Sequence, residues 1–368
     1  MIRFLRWPLR FIKVSAHFTE PRVGMKHRQH HNSAMKIFVC SFIFLVSFLS
    51  LLGSVYANDT QQADYIVLVV LEGIDSETIK SGSMPALARF AQEGAATWSA
   101  ISVAPPLTVP AMASLLTGLP IKKHQVTPEW EDYDFARSFL RSPTVFDYMD
   151  LAGGKDSAVF FMDERLYQLS RPEIYVDAQM CGVAKPDCTP KTISGYIQDY
   201  LNKVTSEGGY GFRLIGVPNL LLVHLPTASR SGRQRGWNSD AYQQAVRAVD
   251  TAINDIVKTY QEVAGLDKTM FIVTGLNGLP LSNPSTNGSQ EPAVQELGQS
   301  VPWISWGVNV KGKYNITRPV SILDTGATIL YALGLETHTE WDSHAIEEIF
   351  NTKPKRRTTE NEPSIAVH

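Results

Sequence analysis

The chain has 368 residues, 34 Lys and Arg against 36 Asp and Glu, a net charge of −2, and three cysteines. Nothing in that balance offers the basic face a nucleic-acid partner would need. The length is enough for one large α/β domain with a substantial buried core.

Taken in chain order, residues 1–34 form a basic stretch with Arg3, Arg6, Arg10 and Lys13, ahead of Met35. We expect Met35 to be the initiator and residues 1–34 to be a mis-assigned upstream extension. Residues 35–57 combine a lysine, an apolar core and the small residues Val55 and Ala57, the layout of a signal peptide cleaved after Ala57. The apolar run is slightly long for that role, so an uncleaved anchor stays open, and it is the only membrane attachment we expect. Either way the protein is expected in the periplasm or secreted. Without residues 1–57 the chain keeps 26 basic against 35 acidic residues and only Cys181 and Cys188, in CGVAKPDC. In an exported protein that pair reads as a local disulfide, with a free thiol or metal role as the alternatives.

Continuous apolar runs predict strands at 65–71, 156–162, 219–225, 268–274 and 301–308. Helical patterns lie at 84–94, 143–154, 191–204, 239–263 and 321–334, several of them closing on glycine. The apolar stretch after Thr108, in PPLTVPAMASLLTGLP, is a further helix. This alternation predicts an α/β fold, a three-layer sandwich with a mostly parallel central sheet spanning residues 58–350. Ligands in such sheets sit beyond the carboxyl ends of the strands. Residues 163–217 are expected as a cap or insertion, 277–300 as a long loop, and 351–368 as a disordered tail.

The residues after the first strand, LEGIDSETI, followed by MPALARFAQEGA and APPLTVPAMASLLTGLPIKKH, resemble the amino-terminal third of the alkaline phosphatase superfamily. They are most similar to its type I phosphodiesterase/nucleotide pyrophosphatase branch. The ordered likeness continues through LLLVHLPTASRSGRQRGWNSDAYQQAVRAVDTAI, MFIVTGLNGLP, VPWISWGVNVKG and SILDTGATILYALGL, roughly residues 64–336. The resemblance implies hydrolysis of phosphate or sulfate esters with two metal ions, usually zinc, held by Asp and His at the strand ends, and a Thr or Ser nucleophile opening a helix.

Position by position, Thr108 matches the nucleophile. Glu72 stands for the first Asp, Ser229 for an Asp, Arg233 for a His, Leu276 for an Asp and Asn277 for a His, and residues 278–303 contain no histidine. Leucine cannot ligate a metal and arginine brings a fixed positive charge, so Glu72 is the one retained ligand position and no cofactor is predicted.

A hydroxyl needs a base, a lowered pKa or a metal to attack. A metal can lower the pKa of bound water from about 15.7 to about 7, on the order of 12 kcal/mol. A helix amino-terminus supplies only about 0.3–1 kcal/mol. Of the five histidines after residue 57, His124, His224, His338, His344 and His368, none is expected to aim at Thr108. Thr108 therefore sits where a nucleophile sits and is expected to cap its helix, with a working nucleophile as the other reading.

Three functions follow. The first is a degenerate, metal-free pseudo-hydrolase that binds a small anionic ligand or an envelope partner; Arg230, Arg233 and Arg235 are its candidate anion site, against a plain solvated loop. The second is an active hydrolase using Thr108, with zinc on Glu72 and on residues such as Asp75, Asp163 or Asp240. The third is a structural or assembly protein of the cell envelope, its old pocket filled by Leu276 and its surface carried by aromatics such as Tyr196, Tyr200, Tyr210 and Phe212.

Overall fold

The computed structural model describes residues 62–132, 140–152, 155–169, 176–180, 188–205, 216–279, 299–337 and 339–355, with 176–180 as backbone only. The expectations for residues 1–57, the loop core 280–298, Cys181, His338, Tyr210, Phe212 and the end of the tail with His368 lie outside them. Cys188 is disulfide-bonded.

Among the described residues, eight strands make one sheet: β1 (Tyr65–Glu72), β2 (Ala95–Ile101), β3 (Ser157–Phe161), β4 (Val176–Met180), β5 (Leu220–Leu225), β6 (Thr269–Asn277), β7 (Ser300–Gly307) and β8 (Tyr314–Asn315). Their order is β4-β3-β5-β1-β6-β7-β2-β8. From β4 to β6 the pairing is parallel, while β7 runs antiparallel to both β6 and β2.

Side-chain alternation sorts each central strand between two apolar layers. Ile66, Leu68 and Val70 of β1 and Leu220 and Leu222 of β5 join one core cluster. It is covered by helices α2 (Thr108–Thr117), α3 (Val145–Leu151) and α7 (Asp324–Ala332). Val67, Val69 and Leu71, with Leu221 and Val223, join the other. That layer is covered by α1 (Pro85–Glu93), α4 (Pro190–Thr205), α5 (Thr227–Arg235) and α6 (Asp240–Val263). The result is the expected sandwich.

Within 163–217, expected as a cap or insertion, β4 extends the sheet beyond β3, and α4 buries Ile193, Ile197 and Leu201 in the second layer. Two local features differ from expectation. The stretch 227–235, expected as a loop, is helix α5, with Ala228 in the core. The strand β2 has no apolar run because Trp98 and Ser99 are not buried and a register shift lies between Thr97 and Ala100.

Candidate functional site

The strands β5, β1 and β6 are neighbours, and their carboxyl ends bring Glu72, His224 and Asn277 together. Glu72 ends β1 on the same face as Ile66, Leu68 and Val70, and is 3% exposed. Its Oε1 accepts the Thr108 hydroxyl at 2.9 Å and His224 Nε2–H at 2.8 Å, while Asn277 Nδ2 faces Oε2 at 3.4 Å. Burial pushes the Glu72 carboxyl up. The hydrogen bond and charge of His224, the charge of Arg233 and the Thr108 hydroxyl outweigh it and hold the group below its ordinary range.

The turn after Glu72 is fixed just as closely. Gly73 has φ +66°, its N–H donates to Asn277 Oδ1 at 3.0 Å, and its carbonyl accepts from the Tyr242 hydroxyl at 2.9 Å. A Cβ there would lie 2.6 Å from Ser229 Cα, so α5 packs directly on this glycine. Ser229 is buried beside it and Leu276 is fully buried in the first core layer. Arg233 and Arg235 are exposed. Arg230 donates to the Met162 carbonyl at 2.6 Å and lies 3.8 Å from Asp163.

Thr108 does not cap its helix. It opens α2 with its hydroxyl turned to Glu72, while the N-cap position, Leu107, offers no side-chain oxygen. The cap comes from Glu131, whose Oε1 accepts the Val109 N–H at 2.6 Å. Arg165 Nη1 pairs with the other Glu131 oxygen. The same guanidinium grips Asp163 with two bonds, Nε to Oδ1 at 2.9 Å and Nη2 to Oδ2 at 2.6 Å. Burial raises the Glu131 carboxyl, and the neighbouring charges of Glu72 and Asp163 add to that against the pull of Val109 and Arg165. Burial would also raise Asp163, but Arg165 holds it low.

His224 corrects a sequence expectation. It lies within an apolar strand, yet its ring reaches the same Glu72 oxygen as Thr108, and its Nδ1 is buried without a partner. His124 is an interior structural residue: Nδ1 accepts the Val126 N–H at 3.0 Å and Nε2–H donates to Ser114 Oγ at 2.8 Å. Of the substitute ligands considered, Asp75 instead caps the turn at Thr78, Asp163 is bound to Arg165, and Asp240 is exposed in the first turn of α6. Sequence reasoning missed His224, Glu131 and Arg165 as members of this site.

The described residues do not fit a pair of zinc ions. Leu276 has no donor, Arg233 repels a cation, and Glu72 already accepts from Thr108 and His224. Among the described residues, no group of three or more His, Cys, Asp or Glu is arranged to hold a metal. No described helix is long and apolar enough to cross a membrane.

A buried hydroxyl at the start of a helix, bonded to a strand-end carboxylate in a mixed sheet between two helical layers, fits an alkaline-phosphatase-like architecture. The model of type I phosphodiesterase / nucleotide pyrophosphatase matches residues 66–279, more than half of the chain, and the chain belongs to that family. No curated protein matches the sequence. Murine ectonucleotide pyrophosphatase / phosphodiesterase 5 is similar in structure with a TM-score of 0.58 at 12% identity, covering 78% of this chain and 100% of that one. A 2-O GAG sulfatase gives 0.56 at 12% identity, covering 81% and 76%. The structure of Ps i-CgsB in complex with k-i-k-neocarrahexaose gives 0.54 at 16% identity, covering 77% and 75%. At these identities the likeness concerns the fold alone.

Proposed function

We propose that the protein is an exported, metal-free pseudo-hydrolase that keeps the family fold and does not turn over phosphate or sulfate esters. The observation that carries this reading is the state of Glu72. The one retained ligand position spends its carboxylate on Thr108 and His224, with Asn277 alongside. A carboxylate held below its ordinary range is a poor base for an alcohol, so the Thr108–Glu72 bond does not make Thr108 a working nucleophile.

With the ester chemistry gone, the role left is binding, to a small anion or to an envelope partner. The solvent-facing Arg233 and Arg235 on α5 support an acidic contact. The test is elemental analysis of the purified protein after dialysis against trace zinc and manganese, paired with a nitrophenyl phosphate and sulfate assay. We expect less than about a tenth of an equivalent of metal, the level of a chain with too few ligands, and no turnover. One or two equivalents with turnover lost in Thr108→Ala would overturn the reading.

A further inference from the structure

We propose that the groove between α1, β2 and β8 is a second binding site, and that its ligand is an acidic sugar, a pyranose bearing a carboxylate. The groove has a volume of about 440 Å³, inside the roughly 300–1,000 Å³ of small-molecule sites. It lies across the sheet from the Glu72 site. Ala91, Ala96 and Trp98 belong to the second apolar layer, whereas Thr108 opens a helix of the first.

Irregular backbone builds it. In β2, Trp98 and Ser99 stand opposite the single residue Pro302 of β7, because the register shifts between Thr97 and Ala100. Two residues against one is a β-bulge, a device that re-aims a side chain. Here it leaves Trp98 half-buried at the groove, with its carbonyl tied to the Ser76 hydroxyl at 2.5 Å. In β8, the Tyr314 N–H donates to the Gly94 carbonyl at 2.9 Å, which fixes Tyr314 and Asn315 along the groove. The buried Ala91 and Ala96 leave the space that larger side chains would fill.

The charge comes from Lys313, which precedes β8 with φ +55°. Glycine or asparagine would meet that left-handed backbone at lower cost, and strain of this kind collects at ligand clamps. Lys313 is exposed at the groove and forms no ion pair among the described residues. Lys80, against the Trp98 ring, is instead paired with Glu77, and Lys311, over the Tyr314 ring, donates to the Glu348 carbonyl. Among the described residues no carboxylate lines the groove to cancel the Lys313 charge. The other polar lining is the exposed amides of Gln92 and Asn315, each both donor and acceptor. A sugar acid needs these parts together: aromatic surface for its C–H face, amides for its hydroxyls and one ammonium for its carboxylate. A plain anion would leave the rings unused, and a neutral sugar would leave Lys313 unpaired.

The experiment is a ligand-observed NMR titration of galacturonate, galactose, acetate and AMP into wild-type protein, Lys313→Gly and Lys313→Arg. We expect saturable galacturonate binding at least about tenfold tighter than that of galactose or acetate, the gain of roughly one charge-assisted bond. Lys313→Gly relieves the backbone and removes the charge, so it should lose that margin without lowering the melting temperature. Lys313→Arg should keep the margin. Trigalacturonate binding more tightly than galacturonate would mark the ligand as a unit of an acidic polysaccharide, and equal binding would mark it as a free sugar acid. No saturable galacturonate binding at millimolar concentration, or equal affinity in wild type and Lys313→Gly, would overturn the site. Acetate or AMP binding as tightly as galacturonate would overturn the sugar as its ligand.

Discussion

Replacing His224 by Leu removes a donor of the buried Glu72 carboxylate while roughly keeping the side-chain volume. Glu72 would retain the Thr108 hydroxyl at 2.9 Å and the longer Asn277 contact at 3.4 Å. Leaving a buried carboxylate short of a donor costs more than the about 1–3 kcal/mol of a neutral unsatisfied group, because the charge is left uncompensated. Deleting the unpartnered Nδ1 offsets about 1–3 kcal/mol of that, the usual penalty of an unsatisfied buried group. The carboxylate term wins, and the net loss is on the order of 2 kcal/mol at neutral pH.

A double-mutant cycle isolates the term. Glu72→Gln keeps an acceptor for Thr108 without a charge to bury, so in the double variant the absence of His224 costs little. The coupling energy should reach about 2 kcal/mol, measured by urea unfolding with tryptophan fluorescence at an unchanged m-value. The sign with pH is also fixed. In the wild type, the low Glu72 pKa contributes stability that is present above the unfolded value of about 4.3 and is lost as pH falls through the folded value. In His224→Leu the unpaired carboxyl prefers its protonated form, so the gap between the two proteins should close on acidification. Additivity within about 0.5 kcal/mol would refute the claim that the Glu72 carboxylate depends on the His224 donor.

Two other perturbations read different parts of the same frame. His124 is held neutral, with its pKa lowered by burial from 6.5 to about 4, so stability present above pH 6.5 should fall by on the order of 3 kcal/mol as pH drops toward 4. His124→Gln should flatten that window in urea titrations, and an unchanged slope would sink the argument. Gly73→Ala should cost more than the roughly 1–2 kcal/mol of a left-handed φ, because its Cβ meets the Ser229 backbone at 2.6 Å. Gly82→Ala, with φ +89° and open space around its Cβ, should cost only the backbone term, and equal thermal shifts in the two would refute the packing claim.

The central strands and the long helices were legible because a doubly covered parallel sheet leaves continuous apolar runs, and α6 repeats its apolar positions at helical spacing. β2 was not, since an antiparallel strand with a register shift and an unburied Ser99 has neither run nor clean alternation. In the site, Glu72, Thr108 and Asn277 could be placed because each follows or opens an element with an ordered family motif. His224 was missed by treating its strand as uniformly apolar. Counting faces would have found it: in LLLVHL it shares a side with Leu220 and Leu222, the side on which Glu72 also lies. Glu131 and Arg165 left no such signal, because an acid in a polar turn and an arginine in another look like solvated surface until the chain folds them onto one helix end.

The side chains at this site depend on one another, and that is why they form a stable arrangement. A buried carboxylate without a cation needs donors. Glu72 finds them in Thr108 and His224, with Asn277 alongside and the charge of Arg233 acting in the same direction. Leu276, near the end of the same sheet, brings no further acid beside Glu72, and its side chain joins the core. The freed helix end at Val109 would remain an unpaired positive pole, and Glu131 closes it. Glu131 in turn needs a cation, which is Arg165, and Asp163 aligns that arginine with two bonds. Three carboxylates and two arginines, with His224 as a donor, thus balance one another through side chains.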